Sequence, residues 1–568
     1  MQVFKEAIIR LLKKEVKEPI ELETPPDSKL GDYAFPCFGL AKQLKKSPME
    51  IAKDLASKLK PNKYIKEIKS TGPYVNFFVN NGIFNEAILK EILNKKEKYG
   101  SSFKKNKRVV VEFPAPNTNK PLHLGHVRNM LIGESLSRIL EFNGYNVFRV
   151  NLNNDRGIHI CKSMLAYKKW GDAKTPESEN KKSDHLVGDF YVLFNKNLKK
   201  YPGLENEVQD MLRKWEAGDK ETVDLWKKMN NWAFKGFNET YKKFEIKHDK
   251  VYNESEHYKK AKDVVLDCLK KNIFKKDEDG NIFVELEEYK MPNKILLRAD
   301  GTSVYMTQDL MLAQLKYKDF KMDRSIFVVG SEQKLHFRQL FKILELIGFK
   351  NIGGCYHLAY GMIYLPEGKM KSREGTIVDA DNIVANMITL ARKEIQERHE
   401  LDKKEIDKRA EQIGMGALKF FILKYDALKD FVFNPRESIS FEGETGPYIQ
   451  YAHARICSIL RKFGKRIDKN FIDKTDLSLL KEKEETELIK LLGNFPELVE
   501  NAASSYKPSL ISRYLLDLSQ SFNEFYHIHQ ILKEREELKN TRILLIDSVR
   551  QALRNGLNLL GIEAPEKM

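Results

Sequence analysis

The sequence predicts a multidomain α/β protein with an all-helical C-terminal part, and three observations carry that expectation. A β-type run at 109–113, a helical run at 125–143 and a second β-type run at 147–152 make a βαβ unit of the doubly wound, Rossmann-like kind. The pattern is then interrupted at about 165–250 by a mostly helical stretch bearing Trp170, Trp215, Trp226 and Trp232, and it resumes at Ile326–Gly330, as an insertion between two halves of one sheet would require. From about 380 onward the apolar spacing is helical throughout. A chain of 568 residues has length for several domains. The expected boundaries are 1–105, 106–380 and 381–568.

Taken in order, residues 1–16 place Val3, Phe4, Ile8, Leu11 and Leu12 at helical spacing. Across Met1–Glu18, Glu6, Glu15 and Glu18 argue for a core-packing helix rather than a transit peptide. Pro25–Asp27 reads as a loop, Gly31-Asp32-Tyr33-Ala34 precedes a helix through Leu40 to Lys46, and Ser47-Pro48-Met49-Glu50 has the form of a capped helix start. Gly72-Pro73 followed by Tyr74–Val79 predicts a turn and a strand. The polar stretch Asn94–Lys107 reads as a linker into the βαβ unit. Beyond 380, Gly416–Lys424, Tyr448–Lys462, Leu510–Leu532 and Ile543–Leu560 are the helical runs, and 481–487 is a solvated charge run.

Composition narrows the class. Apolar residues are 42% and charged residues 32%, which describes a globular chain rather than a disordered one. Lys and Arg number 98 against 81 Asp and Glu, a net +17 that favours a polyanionic partner, although a lysine-rich proteome gives the same balance. The five cysteines are scattered, with no Cys-x-x-Cys pair, so neither a zinc site nor a disulfide framework is expected and a reducing compartment fits. No apolar run reaches the length of a bilayer span, and no membrane association is expected.

The chemistry begins at Lys120-Pro-Leu-His123-Leu-Gly125-His126, between the first strand and the helix of the βαβ unit. Helix N-termini favour phosphate through free N–H groups and the macrodipole. Imidazoles at His123 and His126, three apart on one face, can donate to a phosphate as it becomes crowded with charge. Gly125 leaves room for a base or ribose on the backbone. A second element far downstream, Lys369-Met370-Lys371-Ser372-Arg373-Glu-Gly375, raises the specificity of the first.

With both motifs in hand, the chain is identified as resembling the class I aminoacyl-tRNA synthetases, and among them the arginyl-tRNA synthetases. His123-Leu-Gly125-His126 is similar to their first motif and Lys369–Arg373 to their second, usually Lys-Met-Ser-Lys-Ser. Gly31–Ala34, Thr445-Gly-Pro-Tyr448-Ile-Gln-Tyr451-Ala-His-Ala-Arg455 and the ending Gly556–Met568 extend the resemblance over almost the whole chain. It implies an N-terminal α/β domain that grips tRNA, a class I Rossmann-like catalytic domain with a helical insertion, and a helical anticodon-binding domain.

The implied activity is ATP-dependent ligation of L-arginine to its tRNA through an arginyl adenylate, with attack by the terminal 2′-hydroxyl and with tRNA present before activation. ATP and Mg2+ are implied, the ion without protein side-chain ligands, and a cytoplasmic monomer is expected. His123, His126, Lys120, Lys369 and Lys371 are the implied catalytic residues. Gly125, Met370 and Ser372 join the two histidines around ATP. Lys371 stands where relatives carry Ser and Ser372 where they carry the second Lys. Which loop lysine touches the phosphates therefore stays open, and Lys120 is the residue expected to supply the missing charge.

A guanidinium pairs best with bidentate carboxylates. By the resemblance, Glu112, Tyr305 and Asp309 surround the arginine side chain, while Asn117 and Gln333 hold its α-amino and carboxylate end. Ala115 lies where relatives carry Ser, so one hydrogen bond to substrate is expected to be missing. Asp32, Tyr33 and Asn76 are the candidates for tRNA contact in the N-terminal domain. Tyr448, Tyr451, Arg455, Phe525 and Tyr526 are the candidates at the anticodon, where splayed bases stack on aromatics and Arg. Two rivals remain at this stage: a related nucleotidylyltransferase, which would lack the helical C-terminal part, and a tRNA-binding paralogue without catalysis, which the motif histidines and lysines argue against.

Overall fold

The computed structural model describes residues 2–25, 27–171, 173–366, 378–398 and 400–568. Its centre is a five-stranded, wholly parallel sheet made of β4 (Arg108–Glu112), β5 (Asn146–Asn153), β6 (Lys250–Asn253), β10 (Arg324–Gly330) and β11 (Cys355–Tyr360). The strands lie in the order β11-β10-β4-β5-β6. Val109, Val110 and Val111 are fully buried, as a central strand covered on both faces requires. The chain goes from β4 outward to β6, then returns to lay β10 on the other side of β4. The crevice between β4 and β10 is therefore the switch point at which doubly wound sheets take their ligands, outside the carboxyl ends of the strands.

The βαβ unit stands as expected, with helix Leu124–Phe142 between β4 and β5. The insertion is helical: Ile158–Trp170, Ser183–Leu198, Leu204–Glu216 and Lys220–Lys243 pack around Phe190, Phe194, Met211 and Met229 before the chain reaches β6. A small antiparallel sheet, β7 (Lys275–Lys276), β8 (Ile282–Val284) and β9 (Lys294–Leu297), precedes helix Tyr305–Phe320 and lay outside the sequence-based expectation.

The N-terminal part is a three-stranded antiparallel sheet, β1 (Tyr33–Pro36), β3 (Tyr74–Val79) and β2 (Ile65–Thr71), covered by helices Gln2–Leu12 and Pro48–Lys58. Ser47 and Glu50 close the capping box expected at that second helix. The stretch read as a polar linker is instead a packed joint. Helix Asn81–Lys95 runs into it, and Tyr99 is fully buried, stacked on Phe495 at 6.0 Å with its hydroxyl donating to Leu492 O at 2.8 Å. Asn555 donates to the carbonyls of Lys96 and Tyr99, and Asn85 to that of Leu480. The N-terminal unit thus docks on the C-terminal helices Lys483–Ser505, Pro508–Ile528 and Glu536–Leu559. No described helix is long and apolar enough to cross a membrane.

Candidate active site

Every segment that matters leaves the carboxyl edge of the central sheet. After β4 the chain turns at Ala115, whose φ is +55°, and Asn151 of β5 accepts from the Ala115 N–H at 3.1 Å. Asn117 then runs alongside Asn154, with Thr118 N–H donating to Asn154 O. The loop carrying Lys120 is thereby fastened to β5 before helix Leu124–Phe142 begins.

His123 is that helix's N-cap. Its Nδ1 accepts from the Gly125 N–H at 3.1 Å, and Nδ1 of His126 accepts from the His123 N–H at 3.1 Å. The rings lie 3.9 Å apart. Burial, reinforced by the Lys120 charge, lowers the His123 pKa to about 3. Burial and the charges of His123 and Lys120 hold His126 well below its ordinary value. Both rings are neutral near pH 7. Because each Nδ1 accepts from an amide, each carries its proton on Nε2. The helix N-terminus therefore sets two imidazoles as fixed Nε2–H donors. A Cβ at Gly125 would sit 3.0 Å from His123 Cε1, so the room left by this glycine is used first by the His123 ring itself. Burial lowers the pKa of the Lys120 ammonium.

Lys369, Met370, Lys371, Ser372 and Arg373 lie outside the described residues. The chain that follows them is described: Leu124 N–H donates to Val378 O at 3.2 Å and Ala380 N–H to Leu122 O at 2.9 Å, with Asp379 facing His123 across an antiparallel bridge.

The expected arginine-binding residues divide. Helix Tyr305–Phe320 runs back toward the start of β10, so its first turns reach the carboxyl edge and present Tyr305, 67% exposed, and Asp309. Asp309 Oδ2 lies 2.6 Å from His336 Nε2, and Gln333 closes the turn after β10 from which His336 follows. Glu112 differs from its expected role. Its carboxylate accepts from Lys316 Nζ at 2.7 Å in a buried pair, with the ammonium 3.8 Å from the Phe327 ring centroid. Lys316 lies two turns beyond Asp309 on the same helix, so Glu112 anchors that helix to β4. A carboxylate missed by sequence reasoning comes in from β6. Glu254 lies 3.5 Å from Arg156, and its pKa is pushed up to about 7 by burial, against the pull of Arg156 and with the charges of Asp155 and Asp309 adding to the rise.

The three residues expected to contact tRNA in the N-terminal part have protein surroundings in the free chain. Tyr33 and Asn76 are buried in the small sheet. The Asp32 carboxylate accepts from the Val79 N–H and pairs with Lys490 at 2.7 Å. Phe38, edge-on to Tyr74, is an exposed aromatic of the small sheet's surroundings. At the other end, the expected set is assembled except for Phe525, which is fully buried. Tyr448, Tyr451 and Arg455 share one face of helix Gly446–Phe463. The Arg455 guanidinium lies 4.7 Å from the Tyr451 ring and 5.1 Å from that of Tyr526, and Asn523 links Arg455 to the Tyr448 hydroxyl. The inward face of the same helix, Gln450 and His453, binds the carbonyls of Glu563 and Pro565 in the C-terminal tail.

Comparison with known proteins gives the same outline. Three family models match: the arginyl tRNA synthetase N terminal domain over residues 1–79, the catalytic domain of class I (R) tRNA synthetases over 88–435, and the DALR anticodon binding domain over 449–568. The chain is 48% identical over 565 residues to the arginine–tRNA ligase of Treponema denticola, covering 98% of this chain and 96% of that one. It is 43% identical to the arginine–tRNA ligase of Parabacteroides distasonis, covering 97% and 96%. Among solved structures, Thermus thermophilus arginyl-tRNA synthetase superimposes with a TM-score of 0.85 at 27% identity, with all of both chains covered.

Proposed function

Since the chain belongs to the class I arginyl-tRNA synthetases and charges tRNA with arginine at the expense of ATP, we propose how its residues divide that work. The observation that carries the proposal is the convergence at the carboxyl edge of β4, β5, β6 and β10: fixed donors on one side of the crevice, carboxylates on the other. ATP lies along the N-terminus of helix Leu124–Phe142. The Nε2–H groups of His123 and His126 meet the charge that grows on the α-phosphate as the arginine carboxylate attacks and pyrophosphate leaves. Lys120, on a loop fastened to β5, supplies a preorganised cation, and Lys369 and Lys371 act on the leaving phosphates. Gly125, Met370 and Ser372 complete the nucleotide contacts.

Asp309 and Glu254 hold the guanidinium, with Tyr305 over it. Asn117 and Gln333 bind the α-amino and carboxylate end, and Glu112 acts through Lys316 by fixing the Asp309 helix. Mg2+ arrives on the ATP phosphates. Residues 381–568 read the anticodon through the Tyr451–Arg455–Tyr526 stack, residues 1–105 grip tRNA, and residues 106–380 form the catalytic domain. The enzyme works as a cytoplasmic monomer.

The guanidinium assignment has a direct test. A cation placed between Asp309 and Glu254 pulls down the raised Glu254 pKa, so arginine binding at pH 7 releases up to about half a proton. Calorimetry with tRNA present, in two buffers of different ionisation enthalpy, reads that release. Heats independent of buffer would remove Glu254 from the pocket.

A further inference from the structure

Just past β5, two successive residues clasp the first two residues of helix Glu254–Lys270, which follows β6 directly. Asp155 Oδ1 accepts from the Ser255 N–H at 2.8 Å, and its Oδ2 from the Ser255 hydroxyl at 2.6 Å. Arg156 Nη1 lies 3.5 Å from Glu254 Oε1. The Asp155 carbonyl accepts from Trp226 Nε1 at 2.6 Å and Asn230 Nδ2 at 3.2 Å, so insertion helix Lys220–Lys243 fixes this segment. The Arg156 guanidinium is itself held by several groups. Its Nη2 donates at 2.8 Å to Oε1 of Glu216, the last residue of insertion helix Leu204–Glu216. Its carbon lies 4.2 Å from the Tyr258 ring centroid and 5.5 Å from that of Trp215. The side chain is 11% exposed.

A guanidinium of the protein thus stands beside a pocket that takes the guanidinium of the substrate. Two such cations repel, and the surroundings offset that: Glu216 neutralises Arg156, and the ring faces of Tyr258 and Trp215 attract its charge. Arg156 meets one oxygen of Glu254, so the second stays available to another donor. Burial pushes the Glu254 carboxyl up to about 7, with Arg156 the chief opposing pull and Asp155 and Asp309 adding to the rise. Tyr305 feels the same two charges: burial and Glu254 raise its hydroxyl pKa against the pull of Arg156.

We propose that Arg156 is a positioning residue for the substrate arginine: clamped by Glu216, Tyr258 and Trp215, it orients the Glu254 carboxylate and supports its charge, engaging one oxygen and leaving the other to the substrate guanidinium. Insertion helix Leu204–Glu216 thereby shares in amino-acid recognition. This role rests on the reading of Glu254 as a guanidinium ligand, and the experiment separates the two.

Arginine-dependent ATP–pyrophosphate exchange is measured at saturating tRNA on the full chain from about pH 6 to about pH 8.5, with melting temperature recorded in parallel, for Arg156→Met, Arg156→Lys and Glu254→Gln. The arginine KM should rise as the pH falls through the Glu254 value, because a neutral carboxyl no longer pairs with the guanidinium. Losing a cation this close raises a carboxyl by about one to three pH units. Arg156→Met, which keeps apolar contacts, should therefore move that rise to higher pH by about one pH unit or more. At pH 7 its arginine KM should be about fivefold higher or more, the gap narrowing toward about pH 8.5. The ATP KM should stay within about twofold, as expected when only the amino-acid end is disturbed. Arg156→Lys should recover part of both effects. Asp155 and Asp309 also face Glu254, Tyr305 stands beside it and His336 reaches it through Asp309, so each profile is read against that of the original protein, where these groups are the same. If Arg156→Met leaves the pH profile of the arginine KM in place, or moves the ATP and arginine KM together with the melting temperature, Arg156 is only structural and the proposal fails. If Glu254→Gln leaves the arginine KM and its pH profile unchanged, the reading of Glu254 fails instead.

Discussion

Replacing Asp309 by Asn keeps the size of the side chain and removes its charge, so it isolates what the carboxylate does for the guanidinium. In the free protein Asp309 Oδ2 is held by His336 Nε2 at 2.6 Å, and its side chain is 25% exposed. Removing one partner of a fully buried ion pair costs about 3–5 kcal/mol. Partial exposure and the second carboxylate, Glu254, both reduce that figure, and about 2–3 kcal/mol is the reasonable loss. At 1.36 kcal/mol per tenfold, this is an increase of about 30- to 150-fold in arginine KM. The asparagine can still accept from His336, so the helix bearing Tyr305 should stay in place and the ATP KM should move little. Aminoacylation at saturating ATP and tRNA, with arginine varied, measures the effect, and thermal melting checks the fold. An arginine KM within about threefold of the original, with an unchanged melting temperature, would refute the assignment, because a change that small is what a solvated surface charge gives.

Further outcomes follow from other parts of the molecule. Lys120→Ala should slow single-turnover adenylate formation by a factor on the order of a hundred, the usual loss for one preorganised donor, while Lys371→Ser should cost little; the reverse ranking would make Lys371 the working phosphate ligand. Arg455→Ala should raise the tRNA KM about 5- to 150-fold, from about 1–3 kcal/mol per stacked base, with arginine and ATP constants unmoved; equal tRNA affinity would make the Tyr451–Arg455–Tyr526 stack structural only. Burial lowers the pKa of His123 to about 3 and of His248 and His453 to about 4. The folded values lie below the unfolded one, so the unfolded chain binds more protons; the contribution to stability is full above about pH 6.5 and is lost as the pH falls toward 4, at about 1.4 kcal/mol per pH unit per group. Denaturant titrations of His453→Asn over that range should show a slope smaller by about one proton, and an unchanged slope would count against a neutral buried His453.

Local patterns made much of this molecule legible. β4, β5 and the motif helix follow from short-range apolar spacing, and the helix that aligns Tyr305 with Asp309 is where four-residue spacing puts it. The illegible parts are those decided by distant partners. Glu112 pairs with Lys316, 204 positions away, and only packing reveals that this carboxylate faces inward. Glu254 follows a strand of just four residues, too short for alternation to declare it. Tyr33 and Asn76 look like exposed polar positions in sequence. Tyr33 pairs with Phe77 and Asn76 with Ala34, so the two lie on opposite faces of the small sheet; both are buried, Tyr33 in the apolar core, and the sequence carries no local sign of either burial. Phe525 and Tyr526 are neighbours with opposite fates, because one residue of helix rotation separates the core from the surface.

The docking of the N-terminal unit through Tyr99 and Lys490 bears on how a long, L-shaped molecule is measured. A buried hydrogen bond and an aromatic stack at Tyr99, with the Asp32–Lys490 ion pair, join the N-terminal unit to helix Lys483–Ser505, which packs on the helix carrying Tyr526, so no tether separates them. Under the proposed division of work, in which residues 1–105 grip tRNA and the stack reads the anticodon, two contact surfaces on such a frame keep a constant span, like the jaws of a caliper locked at one setting. An RNA with a base pair added or removed between the two contact points can satisfy either jaw, but not both at once.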